Sequence, residues 1–240
     1  MKANIWAAVS AALLLLSFSM PDLAELLGRE QSVQNQYEVS GVLPENLALW
    51  SFEQRLQYAS LPVELIRLTS PETIKGKQHT AGEMEAAARN WLDSMIDAGL
   101  LARCAQDWQA KEAELVLITA RESATLDHPG QLKNYYVWYC VMADAENTLE
   151  MLLDDETGKP LFIHYGVACG QADTDWAALR WASWCEETYG LTFQNRCSTW
   201  REENGDTVYK LSFLNSIGSE IPLYYRSGSS GFSFQNMISD

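Results

Sequence analysis

The sequence predicts an α+β fold of two tandem units, each a helix followed by four antiparallel strands (αββββ), behind an N-terminal signal or anchor helix. Three observations predict it. Two helical patterns, 80–98 and 173–190, are each followed by four short apolar runs rich in Val, Ile, Tyr, Phe and Trp. Turn residues (Asx, Gly, Ser) separate those runs. The order of elements in the first half then recurs in the second, with slight identity between the copies. The expected division is residues 1–20 as signal or anchor, 21–78 as linker and short helices, 79–168 as the first unit and 169–240 as the second.

The N-terminus justifies the first element. Lys2 is followed by no charge until Asp22, and a solid apolar run spans Ile5–Leu16. That is the layout of an export signal. Ser17 and Ser19 suit cleavage after Ser19, while the uncharged span Ala3–Pro21 reaches the lower limit for crossing a bilayer. A cleaved signal and a retained anchor both fit, and both place the rest of the chain outside the cytoplasm. The stretch from about Glu25 to Val42 is polar and aperiodic, as in a linker. Between Pro44 and Leu68 the apolar spacing predicts one or two short helices, with Pro62 in a first turn. "SPETIKGKQH" reads as loop.

Thr80 and Glu83 have capping-box spacing, Met84, Ala87, Ala88, Trp91, Leu92, Met95 and Ile96 share one face, and Gly99 supplies the stop. Four strands follow: "AELVLITA", the doubly apolar "NYYVWYCVMA", "NTLEMLLDD" and "KPLFIHYG". The second helix is "DTDWAALRWASWCEETYG", ended by Gly190. Its strands are "TFQNRCSTW", "TVYKLSFLN", "SEIPLYYRS" and "GFSFQN".

The stretch Asp154-Asp155-Glu156-Thr157-Gly158 lies between two strands and has hairpin-turn chemistry, with Gly158 suited to positive φ. The second copy puts Ser227-Gly228-Ser229-Ser230-Gly231 at the same point, without carboxylates. The acidic cluster therefore reads as a turn rather than a metal site, and changing all three acids to Ser is expected to leave folding nearly intact. An EF-hand and a P-loop both need patterns not found here.

At these residues the chain resembles the PepSY family, whose closing hairpin carries an Asp, then Thr-Gly, then an apolar strand. Asp154 or Asp155, Thr157, Gly158 and Leu161 carry the resemblance, which covers about Thr80 to Gly166. The order of elements is also cystatin-like. The second copy departs from the motif, with Arg226 and Ser/Gly in place of Asp and Thr-Gly. The resemblance implies an extracytoplasmic, non-catalytic module that regulates or inhibits other envelope proteins.

The formal net charge of -15 repels nucleic-acid backbones and anionic headgroups, so no nucleic-acid partner is expected, and contact with a membrane only through an uncleaved N-terminus. Standard catalytic and cofactor motifs are missing, and no catalytic residue, cofactor or metal is assigned. The three histidines, His79, His128 and His164, are scattered. His164 lies on the strand face opposite Leu161 and Ile163. With Cys169 and nearby acids it is the material an envelope hydrolase would use, one alternative function. The other alternative is glycan binding.

Candidate binding residues are Trp176, Trp181 and Trp184 on the second helix and Tyr136 and Trp138 on the doubly apolar strand. A large aromatic core under the sheet is the favoured account of them, but three Trp crowd one short helix and leave room for an exposed one, and exposed Trp marks interfaces. Five cysteines leave at least one unpaired. Cys185 and Cys197 are the expected disulfide, with buried free thiols as the alternative. The leading expectation is a non-enzymatic binding or regulatory protein of a bacterial envelope, with an envelope or membrane protein as partner.

Overall fold

The computed structural model describes residues 50–58, 62–68, 71–101, 107–121, 132–167, 175–202, 205–228 and 231–235. The expected signal or anchor, the linker, Cys104, His128 and Cys169 lie outside them. No helix among the described residues is long and apolar enough to cross a membrane.

The protein is mixed α+β. Among the described residues three α-helices, α1 (Phe52–Tyr58), α2 (Ala81–Asp97) and α3 (Asp175–Tyr189), accompany nine strands. These are β1 (Pro62–Arg67), β2 (Gln109–Arg121), β3 (Leu132–Ala143), β4 (Asn147–Asp154), β5 (Pro160–Val167), β6 (Thr192–Arg201), β7 (Thr207–Leu214), β8 (Glu220–Gly228) and β9 (Gly231–Gln235). Each of α2 and α3 is followed by four strands. All nine strands join one antiparallel sheet, in the order β1-β2-β3-β4-β5-β9-β8-β7-β6. The second four thus run in reverse beside the first four, and β5 meets β9 through Ile163↔Phe234 to Gly166↔Gly231.

The capping box forms as its spacing predicts: Glu83 N donates to Thr80 Oγ1, and Thr80 N donates to the Glu83 carboxylate. That bond to Thr80, first of all, holds the Glu83 carboxyl below its usual range. Gly99 and Gly190 stop α2 and α3. One expectation fails. Pro62 opens strand β1 rather than a helix. "PVELIR" pairs through Leu65↔Ile118 and Ile66↔Leu117 on the outer side of β2. Proline is tolerated at the first residue of an edge strand, and the tertiary pairing overrides weak helical spacing.

Register fixes which face is covered, because cross-strand partners share a face and neighbours along a strand alternate. One row runs Ala113↔Cys140↔Met151↔Ile163 and continues Phe234↔Tyr225↔Tyr209↔Thr199. Cys140 Sγ donates to Met84 O of α2, and Trp181 of α3 stacks on Tyr225 at 5.9 Å. Both long helices therefore cover the same face. They also hold each other: Trp184 meets Trp91 edge-on at 5.9 Å, Trp184 Nε1 donates to Ser94 Oγ, and an Arg180 N–H donates to Gly99 O. One core cluster includes buried residues of α2, α3 and strands on both sides of the β5–β9 junction.

The thiols correct another expectation. Cys185 is a free thiol, fully buried under α3, whereas Cys197 is exposed on the edge strand β6, so no Cys185–Cys197 disulfide forms. Burial pushes the Cys140 thiol up to about 12 and the Cys185 thiol well above its ordinary range. Iodoacetamide at pH 8 should therefore leave Cys140 and Cys185 unmodified in native protein and alkylate both after unfolding without reductant. Mass spectrometry reads both states, and modification of either thiol in the native state would contradict this placement.

Candidate functional site

Four of the five residues expected to bind do not reach the surface. Tyr136, Trp138, Trp181 and Trp184 are all buried in the core. This corrects the expectation of an exposed platform built from them. Trp181, Trp184 and Tyr189 form a chain of edge-on rings that fills the space between α3 and the sheet. Trp176 belongs to α3, and its side chain lies outside the described residues.

The acidic hairpin, read as a plain turn, is the most connected polar site described. Asp154 is 1% exposed and Asp155 4%. They are consecutive residues at the end of β4, and strand alternation sends their carboxylates to opposite faces. Asp155 turns to the helix face. It accepts from Gln78 N at 2.7 Å, His79 N at 3.3 Å and Trp138 Nε1 at 2.7 Å. His79 Nδ1 donates back to the Asp155 carbonyl. The loop leading into α2 is thereby fixed to the hairpin. Asp154 turns to the other face and meets Arg55 of α1, with Nε 2.7 Å from Oδ1. It also accepts from Thr157 N and Thr157 Oγ1. Burial pushes the Asp154 carboxyl up, against the pull of Thr157 and Arg55. Glu156 is exposed and takes the other side of the Arg55 guanidinium at 2.6 Å.

The acids are thus neither a metal site nor a simple turn. They are a two-sided fastener, and with Asp154 and Asp155 buried in it the triple Ser variant should lose stability rather than fold nearly intact. Gly158 behaves as expected at φ +66°, and its carbonyl also accepts Trp91 Nε1 at 2.7 Å. Gly158→Val should cost about 2 kcal/mol through left-handed strain, read as a lower midpoint in urea. An unchanged midpoint would show that the turn adopts another conformation at no cost.

The face opposite α2 and α3 carries the charged row. It runs Glu112↔Val141↔Glu150↔His164 and continues Ser233↔Arg226↔Val208↔Trp200. His164 is half-buried here, across from Glu150, as its strand position predicts. Arg67 Nη1 bridges Glu114 at 3.0 Å and Glu112 at 3.4 Å, with its guanidinium 5.3 Å from the centre of the Tyr139 ring. Tyr139 OH donates to Glu150 at 3.0 Å. Burial, then the Glu150 charge, holds the Tyr139 phenol well above its ordinary range. Towards β6, Trp200 meets Tyr224 edge-on at 6.1 Å, and Arg226 pairs with Glu202 at 2.8 Å.

Partial burial and then Glu114 raise the Glu112 carboxyl. A raised carboxyl contributes stability below its unfolded-state pKa and loses it as pH rises through the folded-state value. Glu112→Gln should therefore stabilise at pH 7 by about half a kcal/mol or less, since the site is partly exposed, and the gain should vanish in acid. Thermal melts at both pH values check this. Destabilisation at pH 7 would mean that the Arg67 contact outweighs the repulsion.

Among the described residues no group of three or more His, Cys, Asp or Glu side chains can hold a metal ion. The arrangement provides paired charges and aromatic edges on a rigid sheet, which suits recognition. Sequence reasoning missed Arg55, Arg67 and Tyr139. Their roles depend on contacts distant along the chain. The available signal was the consecutive Asp pair at a strand end, where alternation must bury at least one carboxylate. No protein-family model matches the chain, and no curated protein or solved structure gives a significant match.

Proposed function

We propose that this protein is a non-enzymatic binding or regulatory protein of a bacterial envelope, acting outside the cytoplasm and gripping a protein partner with the face of its sheet opposite α2 and α3. In this reading an N-terminal signal or anchor delivers it, and the body is a tandem pair of PepSY-like αββββ units. The observation that carries the proposal is the placement of α2 and α3 on one face only. The opposite face is left with half-buried Tyr139, Trp200 and Tyr224 among paired charges. Aromatic rings and arginines set among paired polar groups are the usual composition of a protein-binding surface. The net charge of -15 favours a partner with basic residues facing Glu112, Glu114 and Glu150.

The test is cross-linking in intact cells with C-terminally tagged full-length protein, followed by mass spectrometry, run beside a Glu150→Arg/Tyr224→Ala variant. One stoichiometric envelope partner that the folded variant no longer captures is the expected result. Equal capture by the variant, or no partner at all, would sink the reading.

A further inference from the structure

We propose that residues 50–58 form a strap that undocks from the sheet as a unit and, when docked, covers part of the face opposite α2 and α3. The inference deepens the protein-binding reading above and rests on it for its purpose, though not for its test.

The strap is α1 with Trp50 and Ser51 before it. Seven residues are too few for a helix to persist alone, so α1 exists because it is docked. Side-chain contacts dock it: Arg55 on Asp154 and Glu156, the Trp50 ring 5.8 Å from Tyr135, and Phe52 5.6 Å from Tyr189. Lys159 lies over the outer side of the Phe52 ring.

What lies under the strap is apolar with one idle polar group. Register puts Ile118, Tyr135 and Val137 on the face opposite α2 and α3, and all three are buried. They continue directly into Tyr139 and Val141 of the proposed binding face. The Tyr135 hydroxyl is buried with no hydrogen-bond partner, beside the Arg55–Asp154 pair. A buried, unsatisfied hydroxyl carries a desolvation cost that undocking would relieve. Undocking would also return two buried charges to water. The strap is therefore held by buried side chains, Trp50, Arg55 and Leu56, over a hydroxyl and two charges that regain hydration when it leaves, and a short segment held in this way can open as a local unit.

Hydrogen exchange on the full chain at increasing low urea tests this without any partner. Amides of 50–58 should exchange through an opening far less sensitive to urea than that of β7 and β8. Trp50→Ala, which leaves the ion pair in place, should speed exchange in 50–58 at least tenfold and leave β7 and β8 unchanged. The same variant should bind an apolar dye such as ANS while keeping its far-ultraviolet circular dichroism. If 50–58 opens only with global unfolding, the strap is wrong. Local opening without a rise in dye binding would refute the covering role. Either failure leaves the partner-capture experiment standing, so the two readings fail separately.

Discussion

Asp155→Ala should destabilise the protein by about 3 kcal/mol, although the residue sits in what the sequence presents as a surface turn. The carboxylate accepts from two backbone amides and the Trp138 indole. Trp138 is fully buried, so its N–H would lose its acceptor away from water. An unsatisfied buried donor costs about 1–3 kcal/mol, and the loop amides of Gln78 and His79 add a smaller amount because water reaches them. A loss of that size lowers the melting temperature by about 10 °C for a chain this long. Combining Trp138→Phe with Asp155→Ala separates the two contributions. It removes the stranded donor, so the double variant should be less destabilised than two independent changes would make it. Denaturant melts of the two singles and the double give the coupling. A cost below about 1 kcal/mol for Asp155→Ala would show that the loop before α2 does not depend on this carboxylate.

Arg55→Ala should cost about 3–5 kcal/mol, the usual loss when one partner of a buried ion pair is removed. Asp154 then keeps only Thr157 as a donor in a site that already pushes its carboxyl up through burial. Removing both charges, as Arg55→Met/Asp154→Leu, should cost clearly less than Arg55→Ala alone. The pH dependence has a definite sign. A raised carboxyl favours the folded state while protonated and loses that contribution as pH rises through its folded-state value. Without Arg55 the carboxyl rises further. The gap between variant and wild type should therefore narrow as pH falls through the carboxylate range. A gap constant with pH would mean that water, not a buried charge, fills the place of Arg55.

These two effects mark where sequence reading stopped. The Thr80–Glu83 capping box, Gly99 and Gly190 are local signals, and α2 and α3 end where those residues place them. Strands β2 to β9 were legible because period-two alternation and turn residues act over a few positions. β1 was not, because "PVELIR" becomes a strand only through its pairing with β2. The fastener was hidden for the same reason: Arg55 and Asp154 are separated by 99 positions, and Gln78 and Asp155 by 77. Hairpin chemistry in Asp154–Gly158 was real, yet it concealed a second use of the same carboxylates. The tryptophans show the converse. Their number on α3 left room for an exposed ring beside an aromatic core, and the space between two side-by-side helices and a broad sheet is large enough to hold Trp181, Trp184 and Tyr189 together.

The position of β9 has a consequence for how the chain is made. It is the last described strand in chain order, yet it lies between β5 and β8 in the middle of the sheet. A chain emerging from the ribosome can assemble β1–β5 and β6–β8 as separate meanders before β9 appears. Until then β5 and β8 present open interior edges, the kind that pair with other chains. Five residues, Gly231–Gln235, then close both edges at once. Vectorial synthesis thus brings in the central strand after the eight other described strands, and a chain in which β9 fails to pair would expose edges at the centre of its sheet rather than at its rim.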